Sequence, residues 1–310
     1  MPIIFIFPGQ GAQYAGMGKD LYENFAPARD LYGKASDILG YDLADLSFNG
    51  PEEKLKQTEF TQPAVFVHSY ACNLLARDKG LTPSAFAGHS LGEYTACAAA
   101  GVFTFEEGLG IVNKRAALMQ KTALDNPGTM AAVIGLDKEG VDELCKNSMQ
   151  YGVVVPANYN CPGQIVISGE KEGVEKACSA AKESGARKAV MLNVSGAFHS
   201  PLMKDGIAGL TEALDSVSLK DSDCPVYQNF SAAPSKDAAA IRSNLIDQLV
   251  GSVRFTESVS AFRNDGIDTA VELGPGKVVS AFIRRTDKEI KTYNISDTAG
   301  MDAALSAGLS

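Results

Sequence analysis

The run Gly88-His89-Ser90-Leu91-Gly92 limits what this chain can fold into more than any other five residues. It follows the small apolar segment Ser84-Ala85-Phe86-Ala87 and leads into Glu93-Tyr94-Thr95-Ala96-Cys97-Ala98-Ala99-Ala100. That order predicts a strand, a sharp turn bearing a serine, and a helix. The two glycines let the main chain turn tightly enough to lift a hydroxyl clear of a sheet, and the helix N-terminus beneath it favours developing negative charge. Ser90 is the candidate covalent nucleophile; the alternative is a serine that only N-caps its helix.

With 310 residues, 45% of them apolar, punctuated by 30 glycines and 13 prolines, the chain can bury a full core and is expected to form one large domain with an elaboration. No apolar stretch approaches the roughly 18 residues of a membrane span. Pro2-Ile3-Ile4-Phe5-Ile6-Phe7 is too short and lacks a basic leader, so it reads as a buried first strand and the location as cytoplasmic. The six cysteines (Cys72, Cys97, Cys145, Cys161, Cys178, Cys224) include no C-x-x-C pair, which predicts reduced packing residues and neither a zinc site nor a disulfide framework. A net charge of -9 lacks the concentrated basic face that phosphates need, so an anionic partner must find a local basic patch. A monomer with no metal, no cofactor and no nucleic-acid or membrane partner is expected.

Short apolar strands alternating with helical segments through about the first 125 residues predict a parallel sheet covered on both faces, an α/β architecture. Between residues 127 and 195 the order changes to strand 130–136, helix 138–149, strands 153–158 and 164–168, helix 173–182 and strand 188–192. This β-α-β-β-α-β order is the ferredoxin-like unit. Turn residues Asn126-Pro127-Gly128 and Asn193-Val194-Ser195-Gly196 bracket it, so a small subdomain is expected at 127–195, inserted into a large one formed by 1–126 and 196–310. The last clear strand-to-helix unit runs from Thr269-Ala270-Val271-Glu272-Leu273 through Gly274-Pro275-Gly276 into residues 277–285.

An activated serine needs a base that works near neutrality, which points to histidine, and the chain has three. His89 precedes Ser90, and adjacent residues at a strand end point to opposite sides, so a structural role is expected. His68 lies in the apolar helical pattern Ala64-Val65-Phe66-Val67-His68-Ser69-Tyr70-Ala71, where a hydrogen-bonded core histidine is expected. That leaves His199, in the loop Ser195-Gly196-Ala197-Phe198-His199-Ser200-Pro201 where the insert returns to the large subdomain. No acid between Ser90 and His199 stands out as an orienting group. Downstream, Ile246-Asp247-Gln248-Leu249-Val250 offers Asp247 or a neutral acceptor at Gln248.

In the helix over residues 106–123, Ile111, Val112, Leu118 and Met119 form the apolar stripe, and Arg115 lies three or four residues from each. A guanidinium on a buried stripe must be paired. Its partner is either an internal carboxylate or a substrate carboxylate held bidentately. Pro8-Gly9-Gln10-Gly11-Ala12-Gln13 follows the first strand and can aim N–H groups at an oxyanion. It is not a dinucleotide fingerprint, because Tyr14 stands where the last glycine belongs, and Gly274-Pro275-Gly276 fails likewise at Val279.

Together these segments resemble the malonyl-CoA:acyl-carrier-protein transacylases, from the first strand to about residue 285. The matching motifs are Phe7-Pro8-Gly9-Gln10-Gly11-Ala12-Gln13, Gly88-His89-Ser90-Leu91-Gly92-Glu93-Tyr94, Gly196-Ala197-Phe198-His199-Ser200-Pro201-Leu202-Met203 and Glu272-Leu273-Gly274-Pro275-Gly276. The resemblance implies a hydrolase-like large subdomain with a ferredoxin-like insert. It implies Ser90 as nucleophile, His199 as base, a Gln248 carbonyl orienting the histidine, and the main-chain N–H groups of Gln10 and Leu91 as oxyanion hole. Arg115 would bind the malonyl carboxylate, with Met119 and Phe198 beside the acyl group. The substrates would be malonyl-CoA and holo acyl carrier protein, in fatty acid synthesis or in a polyketide or polyunsaturated-fatty-acid assembly line. Acidic carriers need a basic rim, for which Arg187, Lys188, Lys277, Arg284 and Arg285 are candidates. Val253-Arg254-Phe255 departs from relatives that often have tryptophan there, which bears on local packing. A serine esterase using Asp247, or a docking module with a degenerate site, are the rival readings.

Overall fold

A computed structural model describes residues 2–309. Its strands are β1 (Ile3–Phe7), β2 (Ala85–Gly88), β3 (Thr129–Ile134), β4 (Val154–Cys161), β5 (Gln164–Gly169), β6 (Lys188–Met191), β7 (Val226–Tyr227), β8 (Pro234–Ser235), β9 (Thr269–Leu273) and β10 (Lys291–Ile295). All five residues of β1 are buried, and strand alternation divides them between two cores. Ile3, Phe5 and Phe7 join a cluster with Phe66 and Phe86, while Ile4 and Ile6 join Phe255, Phe262 and Phe282 on the opposite face. A strand covered on both faces belongs inside a sheet. β1 accordingly sits within the six-stranded order β10-β9-β1-β2-β7-β8, parallel throughout except for the terminal β7–β8 pair.

The expected alternation of strands and helices through residue 125 is corrected. Among the described residues β1 and β2 are the strands of that stretch, and five helices separate them. The helix Ala26–Leu39 buries Ala28, Leu31, Tyr32 and Ala35, a spacing of three and four that only a helix places on one side. The remaining parallel partners of β1 and β2 come from the C-terminal third of the chain, as β7 and β9.

A second sheet, β4-β5-β3-β6, is antiparallel and lies wholly within residues 129–191. Helices Lys138–Ser148 and Lys171–Ala181 cover one face, where Val133, Ile165 and Ile167 meet Val141, Leu144 and Val174. Met130, Ala132 and Val166, on the opposite face, look into a cleft against the large sheet. β4 is tied to the large subdomain by main-chain bonds from Tyr159 N–H to Val253 O (2.9 Å) and from Val253 N–H to Ala157 O (2.8 Å). Val253 and Phe255 are fully buried there, so the segment that departs from the tryptophan pattern is well packed. No helix among the described residues is long and apolar enough to cross a membrane.

Candidate active site

The C-terminal ends of β1, β2 and β9 open into the cleft between the two sheets, as expected for a parallel α/β sheet. The cavity there encloses about 270 Å³ and is lined by Gln10, Gln62, Ser90, Leu91, Arg115, Met119, Phe198 and His199 among others. Separate stretches of chain are thus brought to one point.

Ser90 links β2 to the helix Leu91–Ala99 and has φ 52° and ψ -107°, a positive-φ conformation that a non-glycine residue holds only when its surroundings enforce it. Both flanking glycines are required by close approach. A Cβ on Gly92 would overlap the Phe7 carbonyl, and one on Gly88 would overlap the Gly92 carbonyl. The Ser90 side chain does not cap its helix. Its Oγ lies 2.7 Å from His199 Nε2 and accepts a hydrogen bond from Arg115 Nη2 at 3.2 Å.

His199 also has positive φ, 56°, which turns its ring from the loop into the cleft. Nδ1 lies 2.7 Å from the main-chain oxygen of Gln248. A carbonyl can only accept, so Nδ1 carries the proton and Nε2 presents its lone pair to the serine hydroxyl. Burial, and next the nearby Arg115 cation, push the His199 pKa down to about 3, so the imidazole is neutral at physiological pH.

The orienting group is therefore a main-chain carbonyl, which decides between Asp247 and Gln248. Among the described residues the Asp247 carboxylate accepts a side-chain hydrogen bond only from Ser243 Oγ, at 3.4 Å, and makes none with the histidine. The Gln248 side chain acts elsewhere, its Oε1 accepting from Arg115 Nη2 at 3.0 Å.

Arg115 projects from the helix Phe105–Asp125, whose start is fixed by a Thr104–Glu107 capping box. It is only 1% exposed. No internal carboxylate contacts it: among the described residues Arg115 forms no ion pair, its partners are Gln62 Oε1 (2.7 Å), Gln248 Oε1, Ser90 Oγ and the face of Tyr94 at 5.0 Å, and the buried Glu93 carboxyl acts on it only from beyond contact distance. Its Nε–H is buried and unpartnered. Burial lowers its pKa, yet guanidinium starts so high that it stays charged.

Gln10 and Leu91 both line the cavity, and among the described residues neither main-chain N–H is engaged by another group. Met119 and Phe198 are buried in the wall, and Met119 Sδ accepts from Gln62 Nε2 at 3.3 Å. His89 and His68 occupy structural positions. His89 Nε2 is 2.8 Å from Asn160 Oδ1 of β4, with its ring against Phe255 and Phe282, and His68 Nε2 is 2.8 Å from Ser296 O.

The five basic residues divide. Lys188 pairs with Ile134 in β3, on the face of the sheet that carries Ala132, and is exposed. Lys277 is exposed beside Val278 at the cavity edge, and Arg285 reaches across to Gln164 Oε1 at 2.7 Å. Arg187, also exposed, stands immediately before β6, and Arg284 turns instead to Thr292 of β10 at 2.6 Å.

Sequence reading missed Asn229, Gln62 and Glu93. Asn229 Oδ1 accepts the Ser90 N–H at 2.7 Å and its Nδ2 donates to Gly88 O at 2.7 Å, stapling both sides of the turn. Glu93 lies in the first turn of a helix rich in small and apolar residues, so it carries the same signal as Arg115, a charge where burial is expected.

Comparison with known proteins places the chain in a family. A family model described as acyl transferase domain matches residues 4–307. The malonyl CoA-acyl carrier protein transacylase of Bacillus subtilis (strain 168) is 42% identical over 304 residues, covering 98% of this chain and 96% of that protein. The crystal structure of an acyl-carrier-protein S-malonyltransferase from Burkholderia pseudomallei 1710b superimposes with a TM-score of 0.96 at 40% identity, over 99% of this chain and 100% of that one. A malonyl-transacylase solved in complex with a type II polyketide acyl-carrier protein gives 0.96 at 39% identity, again over 99% and 100%. The chain belongs to the acyl transferase family.

Proposed function

We propose that this enzyme transfers a malonyl group from malonyl-CoA to the phosphopantetheine thiol of acyl carrier protein, through a malonyl ester on Ser90. The observation that carries the reading is Arg115: a buried cation without a carboxylate partner, 3.2 Å from the nucleophilic oxygen. A site that holds an unpaired guanidinium beside its nucleophile is built for an acyl group that brings its own carboxylate.

The steps follow from the geometry. Ser90 Oγ gives its proton to His199 Nε2 and attacks the thioester carbonyl, while the free N–H groups of Gln10 and Leu91 receive the oxyanion. His199 returns the proton to the departing thiol, leaving the ester. The carrier's thiol then enters, loses its proton to His199, and takes the malonyl group as Ser90 regains its hydrogen. A neutral orienting carbonyl suffices, because a thiol is a far better leaving group than an amine. Phe198, buried at 5% exposure beside the base, crowds the C2 position and disfavours branched acyl groups. Lys188, Lys277 and Arg285 are the basic groups best placed at the cleft for an acidic carrier. The pathway served is fatty acid synthesis. A relative of the same fold solved with a polyketide carrier supports delivery to a polyketide carrier as the second reading.

Intact-mass measurement after mixing with malonyl-CoA, and then with holo carrier, tests this. The expected result is one malonyl group on the protein, absent in Ser90→Ala and removed by the carrier. Arg115→Met should lose the preference for malonyl over acetyl by on the order of 10⁴, the scale of discrimination at sites built around one polar substrate group. Loss of the group to water without a carrier would instead identify an esterase.

A further inference from the structure

We propose that Glu93 is a positioning residue, acting through Asn229 and Gln248 to hold the Ser90 main chain and the Arg115 guanidinium in place. This rests on the reading of the site as an acyltransferase. Glu93 is fully buried on the helix Leu91–Ala99. Its Oε2 accepts from Asn229 N–H at 2.9 Å and from Gln248 Nε2 at 2.7 Å. Its Oε1 is buried without a hydrogen-bond partner among the described residues. An ionisable side chain in such a place is costly, and a hydrocarbon of similar size would pack as well.

What the carboxylate does is anchor the main chain of Asn229 and set the direction of the Gln248 side-chain amide. Asn229, anchored by Glu93 at its N–H, holds Ser90 N–H and Gly88 O with its side chain. Gln248 Nε2 is surrounded by acceptors: Glu93 Oε2, Ser90 O at 3.1 Å and Asn229 Oδ1 at 3.3 Å. That leaves Gln248 Oε1 facing Arg115 Nη2. Without the carboxylate the strongest of these acceptors is gone, and an inverted amide would set its NH₂ against the guanidinium.

The charged and titratable groups acting on Glu93 are Arg115 from the helix Phe105–Asp125 and Tyr94 and Cys97 from its own helix. The segments carrying Asn229 and Gln248 present amides, and the helix Thr58–Asp78 brings no charge to it. Burial raises the Glu93 pKa to about 7, against the hydrogen bonds of Asn229 and Gln248 and the Arg115 charge. His199, held to about 3, is neutral well below that. Reactivity of Ser90 should therefore rise as Glu93 ionises near neutrality, and the acid limb of the pH profile belongs to Glu93, not to the base.

Labelling of Ser90 by phenylmethylsulfonyl fluoride, followed by intact mass across the neutral range, reads this with no acyl substrate. Its outcome therefore stands apart from whether malonyl is the natural group. Wild type should show a limb near pH 7, whereas Glu93→Gln should lose the limb and label roughly 10- to 100-fold more slowly on the plateau. Glu93→Asp, which keeps the charge, should keep the limb and recover part of the rate. In malonyl transfer, Glu93→Gln should raise KM for malonyl-CoA as well as lower kcat, because Arg115 loses its fixed acceptor. A wild-type profile flat through neutrality overturns the proposal. So does a Glu93→Gln protein that labels like wild type, or one whose slower labelling tracks a lowered melting temperature with the limb intact.

Discussion

At the scale of single residues, the division of labour at Gln248 decides how the site responds to change. Its main-chain oxygen fixes the tautomer of His199, while its side chain serves Arg115 and Glu93. Removing the side chain therefore leaves the base oriented and disturbs the cation. Gln248→Ala loses the bond from Gln248 Nε2 to Ser90 O as well, so it should slow Ser90 labelling without abolishing it and weaken selection of the dicarboxylic acyl group, measured as the ratio of kcat/KM for malonyl-CoA to that for acetyl-CoA. Asp247→Asn should leave kcat within about twofold of wild type, as surface substitutions generally do. A triad acid would instead cost about 10⁴ in rate, so a fall of that size would reinstate the esterase reading. Ser90, His199 and Arg115 were legible because each is an odd residue type for its place: a serine on a glycine turn, a histidine in a junction loop, a cation on an apolar stripe. Asn229 and Gln62 were not legible. Their amides lie in no motif, and their roles exist only once the distant segments 62, 90, 115 and 229 are packed together.

At the scale of elements, the unit formed by β1, β2 and the helix Leu91–Ala99 is held together by contact between main chains. Gly92 sits against the carbonyl oxygens of Phe7 and Pro8, so the first loop and the nucleophile turn are one packed object. His89 N–H donates to Phe7 O at 3.0 Å, reinforcing the same contact. Gly92→Ala has no flexible side chain to push aside. Overpacking of this kind should destabilise the fold by roughly 1–3 kcal/mol, read as a lowered urea midpoint at unchanged m-value. Activity should fall further than stability does, because the backbone that must yield carries the Gln10 N–H. Equal urea midpoints for Gly92→Ala and wild type would show that the close approach carries no strain. The ferredoxin-like order was readable from strand and helix periods within a short stretch. The large sheet was not, since β1 finds its partners about 80 and 265 residues away, as β2 and β9, and no local pattern encodes that separation.

At the scale of the whole molecule, the site depends on the C-terminal segment closing back over the N-terminal half. β9 and β10 complete the sheet beside β1, and the segment after β10 is held by Asp20 Oδ2, which accepts from Thr298 N–H at 2.7 Å, and by His68. His68 Nε2 donates to Ser296 O, while its Nδ1 is buried without a partner among the described residues. A second proton would thus enter a position with nothing to receive its charge, and burial lowers the His68 pKa from 6.5 to about 4. The sign follows from linkage: a depressed folded-state pKa gives stability that is fully present above pH 6.5 and is lost as pH falls toward 4. The loss should run at about 1.4 kcal/mol per pH unit in that window. Glu93 and Glu272, whose pKa values burial raises, act in the opposite direction, so the net slope of the wild-type curve alone is not diagnostic. His68→Gln isolates it, because the amide can still donate to Ser296 O but does not titrate, and every other group is shared. The difference in unfolding free energy, wild type minus variant, should be constant above pH 6.5 and fall steadily below it. Parallel stability curves from neutral to acid pH would mean that the imidazole accepts its proton in the folded state, and that the C-terminal segment is not locked as its hydrogen bonds indicate.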